Sequence, residues 1–221
     1  MEQPINKLLA MPLFMLHNDS SCQWGIWNVT ETIDELLELL PHSEVYRQQM
    51  MQFASSSRRL EWIAVRVLLF ELLREEKEIA YNSNGRPYLL DKSLNISISH
   101  TRGFVSVIVA KPDKEVGIDI EQYSERVRRV AYRFVREDEE LSNYDEADTT
   151  YSLLLHWSAK EVVFKCLNAT DVDFLQHIRI LPFHVAHEGI LDAEEYRTQE
   201  ALKFRIHYFL HSEFVLTWYE S

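Results

Sequence analysis

The most polar interruption of this chain, "KPDKE" at 111–115, separates two stretches that carry the same kinds of pattern. Proline cannot donate to a sheet ladder or sit inside a helix, and the charges around it resist burial. No regular element is expected to run through this point, and a boundary here divides the chain into 1–112 and 113–221. Before it, "PLFMLHN" and "QWGIWNV" read as short strands, "ETIDELLELL" as a helix stopped by Pro41, and "SEVYRQQMMQF" as another helix. The strongest helix is "SSSRRLEWIAVRVLLFELLREEKE" (55–78), with serines for an N-cap and Leu60, Ile63, Ala64, Val67 and Leu68 on one face. "NSNGRPYL" has turn chemistry, and "LNISISH" and "FVSVIVA" are strands joined by "TRG". After the break come the strand "VGIDI", helices around 125–142 and 150–168, and strands near 178–186, 202–210 and 213–219. Each half mixes helices with mostly antiparallel strands, which predicts an α+β pair of subdomains.

Composition narrows the setting. With 221 residues, 46% of them hydrophobic, the chain can bury one large core or two small ones. No segment approaches the ~20 apolar residues of a membrane helix. The opening "MEQPINKLLAM" lacks the basic start and apolar stretch of a secretory signal. Cys22 and Cys166 make no disulfide or metal framework by spacing, so a soluble, cytoplasmic protein is expected. The net charge of −12 argues against nucleic acid as partner and requires any anionic partner to meet a local basic patch.

In "VGIDIE" (116–121) alternation sends Val116, Ile118 and Ile120 to one face and Asp119 and Glu121 to the other. Two neighbouring carboxylates repel unless a cation, a proton or an arginine lies between them. Taken alone, D-x-E reads as the solvent face of an edge strand. In "LLLHWSAKEVVFKCLN", Glu161 and Lys165 lie four apart on one helical face, with Trp157 one turn earlier. By itself that pair reads as an exposed ion pair; set against the strand, Glu161 would complete three carboxylates suited to Mg²⁺ and a phosphate.

Other residues carry weaker signals. "SISHT" sets Ser97 and Ser99 on one strand face and His100 at the turn, either as strand-end structure or as phosphate donors. Arg86 in "GRP" is a cation on a rigid loop. Arg66, between "IAV" and "VLLF", needs an anionic partner, whether a structural carboxylate or a ligand; Arg59 lies seven residues earlier on the same helical face. In "SERVRRVAYRFVRE", Arg126, Arg129, Arg133 and Arg136 align along one helical stripe, a docking surface for an acidic partner or a solvated face. The chain has no P-loop, dinucleotide fingerprint, zinc-protease motif or nucleophile elbow, and "HVAH" (184–187) would put its histidines on opposite sides of a strand.

In order, "RRLEWIAVR", "NGRPYL", "ISISHT", "GIDIE" and "WSAKEVVFK" resemble the 4′-phosphopantetheinyl transferases, in particular the larger surfactin-synthetase-activating type. The resemblance spans about residues 55–168; its most specific part is "GIDIE" followed by "W-x-x-K-E-x-x-x-K". It implies two similar α+β halves related by pseudo-twofold symmetry, with coenzyme A between them. It implies transfer of the phosphopantetheine arm of coenzyme A to a serine of an acyl or peptidyl carrier protein, releasing 3′,5′-ADP, by a monomer. Asp119, Glu121 and Glu161 then correspond to Mg²⁺ ligands, and Glu161 also to the general base. Lys160 and Lys165 correspond to the signature lysines near the pyrophosphate, Ser99 and His100 to phosphate contacts, Arg86 and Pro87 to the loop beside the adenine nucleotide, and Arg59 and Arg66 to cations near the coenzyme A phosphates. The chain departs from the family in having threonine after His100 and arginine at 86, where serine and lysine are frequent, and its first and last 50 residues match no motif of the family. Two other readings share these residues: a catalytically silent binding module for coenzyme A or a carrier protein, and a Mg²⁺-dependent hydrolase of nucleotide pyrophosphates.

Overall fold

The computed structural model describes residues 13–144, 148–167 and 169–221; the N-terminal stretch compared above with a secretory signal lies outside them. Strands β1 (Leu13–Asn18) and β2 (Cys22–Asn28) form a hairpin whose turn is held by Asp19, which accepts from the backbone N–H of Ser21 and Cys22. Helix α1 (Ile33–Glu38) starts on a capping box between Thr32 and Glu35, and α2 (Ser43–Met50) follows Pro41. Helix α3 (Ser56–Leu73) is capped by the Ser55 hydroxyl and ends at Arg74, whose φ of 55° is left-handed. The expected extension through "EEKE" therefore stops a turn early. Strands β3 (Ile79–Tyr81) and β4 (Pro87–Leu89) make a small hairpin out of the stretch read as a turn.

Strands β5 (Asn95–Thr101) and β6 (Phe104–Ala110) complete an antiparallel sheet of order β1-β2-β6-β5. After the polar break, β7 (Val116–Gln122) opens a second antiparallel sheet, β7-β11-β10-β9-β8. Its other members are β8 (Ile178–Ile180), β9 (Glu188–Glu195), β10 (Lys203–Leu210) and β11 (Phe214–Glu220). Helix α4 (Thr150–Cys166) covers it, and a single turn, α5 (Phe174–His177), precedes β8. The architecture is mixed α+β.

Three cores account for the layering. One lies between α3 and the first sheet (Ile63, Val67, Leu68 against Val105, Val107, Val109), and another lies between α4 and the second sheet (Leu155, Ala159, Val162 against Ile206, Tyr208, Val215). The third joins the backs of the sheets: Trp24, Ile26 and Ile108 against Val116, Ile118, Ile120 and Leu216. Alternation in β2, β6 and β11 thus serves two cores at once, in the order helix, sheet, sheet, helix. The edges of β5 and β7 meet through side chains: Ser97 Oγ and Thr101 Oγ1 accept from Ile118 N and Gln122 N at 3.2 and 3.1 Å. These hydroxyls satisfy edge N–H groups that would otherwise be unpaired.

The structure corrects several expectations. Residues 125–142 form no α-helix; they make two short 3₁₀ helices, Glu125–Arg129 and Ala131–Arg133, followed by irregular chain. "HVAH" is irregular rather than extended. Strand β9, "EGILDAEE", was unexpected because its acidic, alanine-containing sequence has weak strand propensity; it exists because β8 and β10 pair with it on either side.

Candidate active site

Gly117 decides how α4 meets β7. A Cβ there would stand 2.8 Å from Cys166 Sγ and 2.9 Å from Val162 O, so the helix reaches the strand this closely only over glycine. The same face of β7 carries Asp119 and Glu121, while Val116, Ile118 and Ile120 point into the core between the sheets. The close crossing brings Ser158, Glu161 and Lys165 of α4 against those carboxylates.

Asp119 is almost fully buried and well satisfied. It accepts from Ser99 Oγ and Ser158 Oγ, each at 2.8 Å, and from Lys165 Nζ at 2.7 Å. Lys165 also donates to Ile118 O at 2.8 Å, so the lysine bridges helix and strand rather than forming the exposed pair with Glu161. Glu121 accepts from Trp157 Nε1 at 2.8 Å. Burial, then the Asp119 charge, pushes the Glu121 carboxyl up to about 7, and the same two causes, in the same order, push Glu161 up to about 7. One ammonium thus faces three converging carboxyl groups, and the two glutamates hold protons well above the usual carboxylate range. Their donor atoms are wider apart than a closed metal site: among the described residues the trio drawn within 4.8 Å of one another lies elsewhere, at His17, Asp19 and Cys22. The donor set nevertheless fits Mg²⁺, since all three groups are hard oxygen ligands and their excess negative charge calls for a dication.

A cleft leads away from this cluster. A cavity of about 250 Å³ is lined by Glu161, Lys165, Arg86, Pro87, Ser97 and Ile98 among others. It shares Gly85, Pro87 and Ile98 with a second of about 180 Å³, which adds Arg58, Arg66 and His100. That one shares Arg58, Trp62, Arg66, Tyr81 and Gly85 with a third, of about 760 Å³. Arg66 is 6% exposed and has no carboxylate partner among the described residues; its guanidinium lies 3.3 Å from the Trp62 ring centroid and donates to Trp62 O at 3.0 Å. Burial lowers its pKa to about 10. Arg58 Nη1 donates to His100 Nε2 at 3.1 Å, and Glu61 on the same wall of the cleft lies 3.7 Å from each of them. Arg86 forms an ion pair with Glu115.

Other expected site residues are placed differently. Lys160 is 0% exposed and points away from the cluster; its ammonium pairs with Glu139 at 2.8 Å and donates to Phe134 O and Phe174 O. A group sealed in this way has no access to the cleft. Arg59 turns back to donate to Phe53 O at 2.6 Å, and it is Arg58 that faces the cleft beside Arg66. Ser99 spends its hydroxyl on Asp119. The arginine stripe dissolves with its helix: Arg136 pairs with Asp138 and donates to Leu175 O, whereas Arg126 and Arg133 flank an apolar cavity of about 370 Å³ with Val127, Val130 and Phe134, beside Glu121 and Trp157.

Four residues of the site carried little signal in the sequence. Trp157 was visible as one turn before Glu161 but not as the donor to Glu121. Ser158 and Gly117 look ordinary until the helix crossing is known, and Arg58 sits in a run "SSRR" that helical periodicity alone assigns to the wrong arginine.

Residues 115–218 match the model of the 4′-phosphopantetheinyl transferase superfamily. The match takes in β7, α4 and most of the second sheet, a little under half the chain, and it points to phosphopantetheinyl transfer as the general chemistry. It contains Asp119, Glu121, Glu161 and Lys165 and leaves out Arg58, Arg66, Arg86 and His100. No curated protein matches the chain.

Proposed function

We propose that this chain as a whole is a phosphopantetheinyl transferase of the surfactin-synthetase-activating type. It moves 4′-phosphopantetheine from coenzyme A to a serine of an acyl or peptidyl carrier protein and releases 3′,5′-ADP. The single observation that carries the reading is the convergence of Asp119, Glu121, Glu161 and Lys165 at one end of a cleft whose other end holds Arg58 and His100 beside Glu61, and Arg66, which has no carboxylate partner among the described residues. An anionic ligand running between a carboxylate–lysine cluster and a basic pocket has the charge pattern of a pyrophosphate joined to a second phosphate. The two halves, 1–112 and 113–221, are taken as subdomains related by pseudo-twofold symmetry, in a cytoplasmic monomer.

Asp119, Glu121 and Glu161 would hold Mg²⁺, which when bound neutralises the pyrophosphate. Glu161, with its raised pKa, takes the proton from the carrier serine as the serine oxygen forms a bond to the phosphorus of phosphopantetheine and the bond to 3′,5′-ADP breaks. Lys165, already within reach of Asp119, meets charge on the pyrophosphate and on the departing nucleotide. Arg66, Arg58 and His100 receive the far phosphate, with Arg86 and Pro87 along the cleft between. Arg126 and Arg133 around their apolar cavity dock an acidic carrier so that its serine arrives beside Glu121.

The test is incubation with coenzyme A and Mg²⁺, with and without a panel of carrier proteins. Carrier-dependent release of 3′,5′-ADP with a matching mass gain on the carrier supports transfer. Carrier-independent release would replace it with pyrophosphate hydrolysis, and no release would leave a binding module.

A further inference from the structure

On the far side of the second sheet from Asp119, a different donor set gathers where the β1–β2 turn meets the last strand. We propose that His17, Asp19 and Cys22, with Glu220 across from them, form a second metal site, for a transition-metal dication of the zinc class, that ties the first hairpin to β11. One ligand atom from each of His17, Asp19 and Cys22 lies within 4.8 Å of the others. A tetrahedral zinc site, with ligands at about 2.0–2.3 Å from the ion, needs donors ~3.4–3.8 Å apart, so rotamer shifts of about 1 Å close the group.

The surroundings fix these donors from behind. Asp19 Oδ1 accepts from Ser21 N, Ser21 Oγ and Cys22 N, leaving Oδ2 facing His17 Nε2 at 2.8 Å. The His17 ring stacks on Trp24 at 5.2 Å and 10°, which sets its plane. Cys22 is 3% exposed, as a thiol shielded from oxidation would be. Among the described residues Glu220 Oε2 is buried with no hydrogen-bond partner, while Oε1 lies 3.9 Å from His207 Nε2, and the Glu220 charge reaches both Asp19 and Cys22. An orphaned buried carboxylate oxygen lacks a proton donor or a cation, and three metal-ligating side chains stand near it. A groove of about 590 Å³ lined by His17, Trp24, His207 and Trp218 gives an ion a way in.

Ligand chemistry separates this site from the carboxylate cluster. A thiol and an imidazole suit zinc-class ions and discriminate against Mg²⁺, and binding expels the thiol proton. Because Glu220 alternates with Tyr219, which packs on the α4 core, the two sites lie on opposite faces of β11 and its sheet.

The experiment is titration of the reduced full chain with Zn²⁺ in saturating Mg²⁺, with Co²⁺ as the spectroscopic probe. One equivalent of Zn²⁺ is expected to bind and raise the melting temperature, and the Co²⁺ form should show a thiolate charge-transfer band. His17→Ala and Cys22→Ser should each weaken binding by more than about 100-fold, since even an outer-shell loss costs ~10–100-fold. Glu161→Gln should leave it unchanged. No Zn²⁺ binding, binding that survives both ligand variants, binding lost in Glu161→Gln, or a Co²⁺ spectrum without the thiolate band each overturns the proposal. His17→Ala removes only a partly exposed ring, so its folding, checked by circular dichroism, keeps the test valid if Cys22→Ser fails to fold.

Discussion

Helices α3 and α4 are nearly the same length, 18 and 17 residues, and each lies on one antiparallel sheet, yet they treat buried cations in opposite ways. On α4, Lys160 is sealed at 0% exposure against Glu139, and Lys165 is clamped to Asp119. On α3, Arg66 is buried against Trp62, with no carboxylate ion-pair partner among the described residues, at the wall of an open cavity. A buried charge with a buried counter-charge is complete and has a structural role. A buried charge without one is costly to the free protein and is balanced when an anion arrives. The difference separates a lysine whose charge is met within the fold from an arginine whose charge is met by no carboxylate among the described residues, although both stood in the family-like motifs.

The largest effect expected from this contrast is on stability. Lys160→Ala strands Glu139 and should cost about 3–5 kcal/mol, or roughly 6–20 °C in melting temperature at ~2–4 °C per kcal/mol. Lys160→Met combined with Glu139→Leu should recover most of it. If Lys160→Ala melts normally but raises KM for coenzyme A, the division between the two helices fails.

Next is Glu161→Gln, which keeps size but removes the base. Its kcat for transfer should fall about 10²-fold or more, with the fold intact by circular dichroism. Wild-type turnover would remove Glu161 from the chemistry.

Arg66→Met sharpens the other side of the comparison. Losing a charge-assisted contact of about 1.5–3 kcal/mol should raise KM for coenzyme A by ~10–100-fold, while the melting temperature of the free protein stays level or rises. A destabilised variant with unchanged KM would make Arg66 structural after all.

The protons on Glu121 and Glu161 give a pH test. Both carboxyls sit at about 7 in the folded chain, above their value of about 4.3 when unfolded. Between those values the folded state binds more protons, so the stability that these two groups contribute is full below about pH 4 and is lost as pH rises toward 7. Metal-free protein should therefore melt lower at about pH 8 than at about pH 5 on their account. Glu161→Gln should recover part of the loss at the higher pH, as should Mg²⁺. Scanning calorimetry with chelator or with Mg²⁺ reads this; a profile flat from pH 5 to 8 in the wild type would show the pair ionised throughout.

The smallest effect belongs to the apolar cavity beside Glu121. Reversing Arg126 and Arg133 to Glu should raise KM for the carrier several-fold and leave KM for coenzyme A alone, with the loss shrinking as salt is added. Equal changes for both substrates, or no salt dependence, would reduce those arginines to a solvated face.

Much of the framework was legible from local pattern. The β7 alternation, the α3 and α4 helices and the polar break depend on side-chain periodicity and turn chemistry within a few residues, which sequence records directly. Strand β9 and the two 3₁₀ turns were not legible, because neighbouring strands and packing against α4 override the propensities of "EGILDAEE" and "SERVRRVAYRFVRE". The site divides in the same way. Residue type and spacing made Asp119, Glu121, Glu161 and Lys165 candidates and the family resemblance gave them roles, but that Lys165 answers Asp119 while Trp157 answers Glu121 depends on the crossing over Gly117.

By itself, then, the sequence determined which side chains share a face, where elements begin and stop, and which charges needed partners. The tertiary structure alone decided who those partners are. Lys160 and Arg66 show the reason: each is a cation in an apolar helix, and the counter-charge for one arrives from 21 residues away in sequence, at Glu139, while for the other none arrives from the described residues. Burial makes such a charge costly wherever it occurs, but whether the cost is met within the chain or left for a ligand depends on contacts between distant segments, which no local pattern encodes.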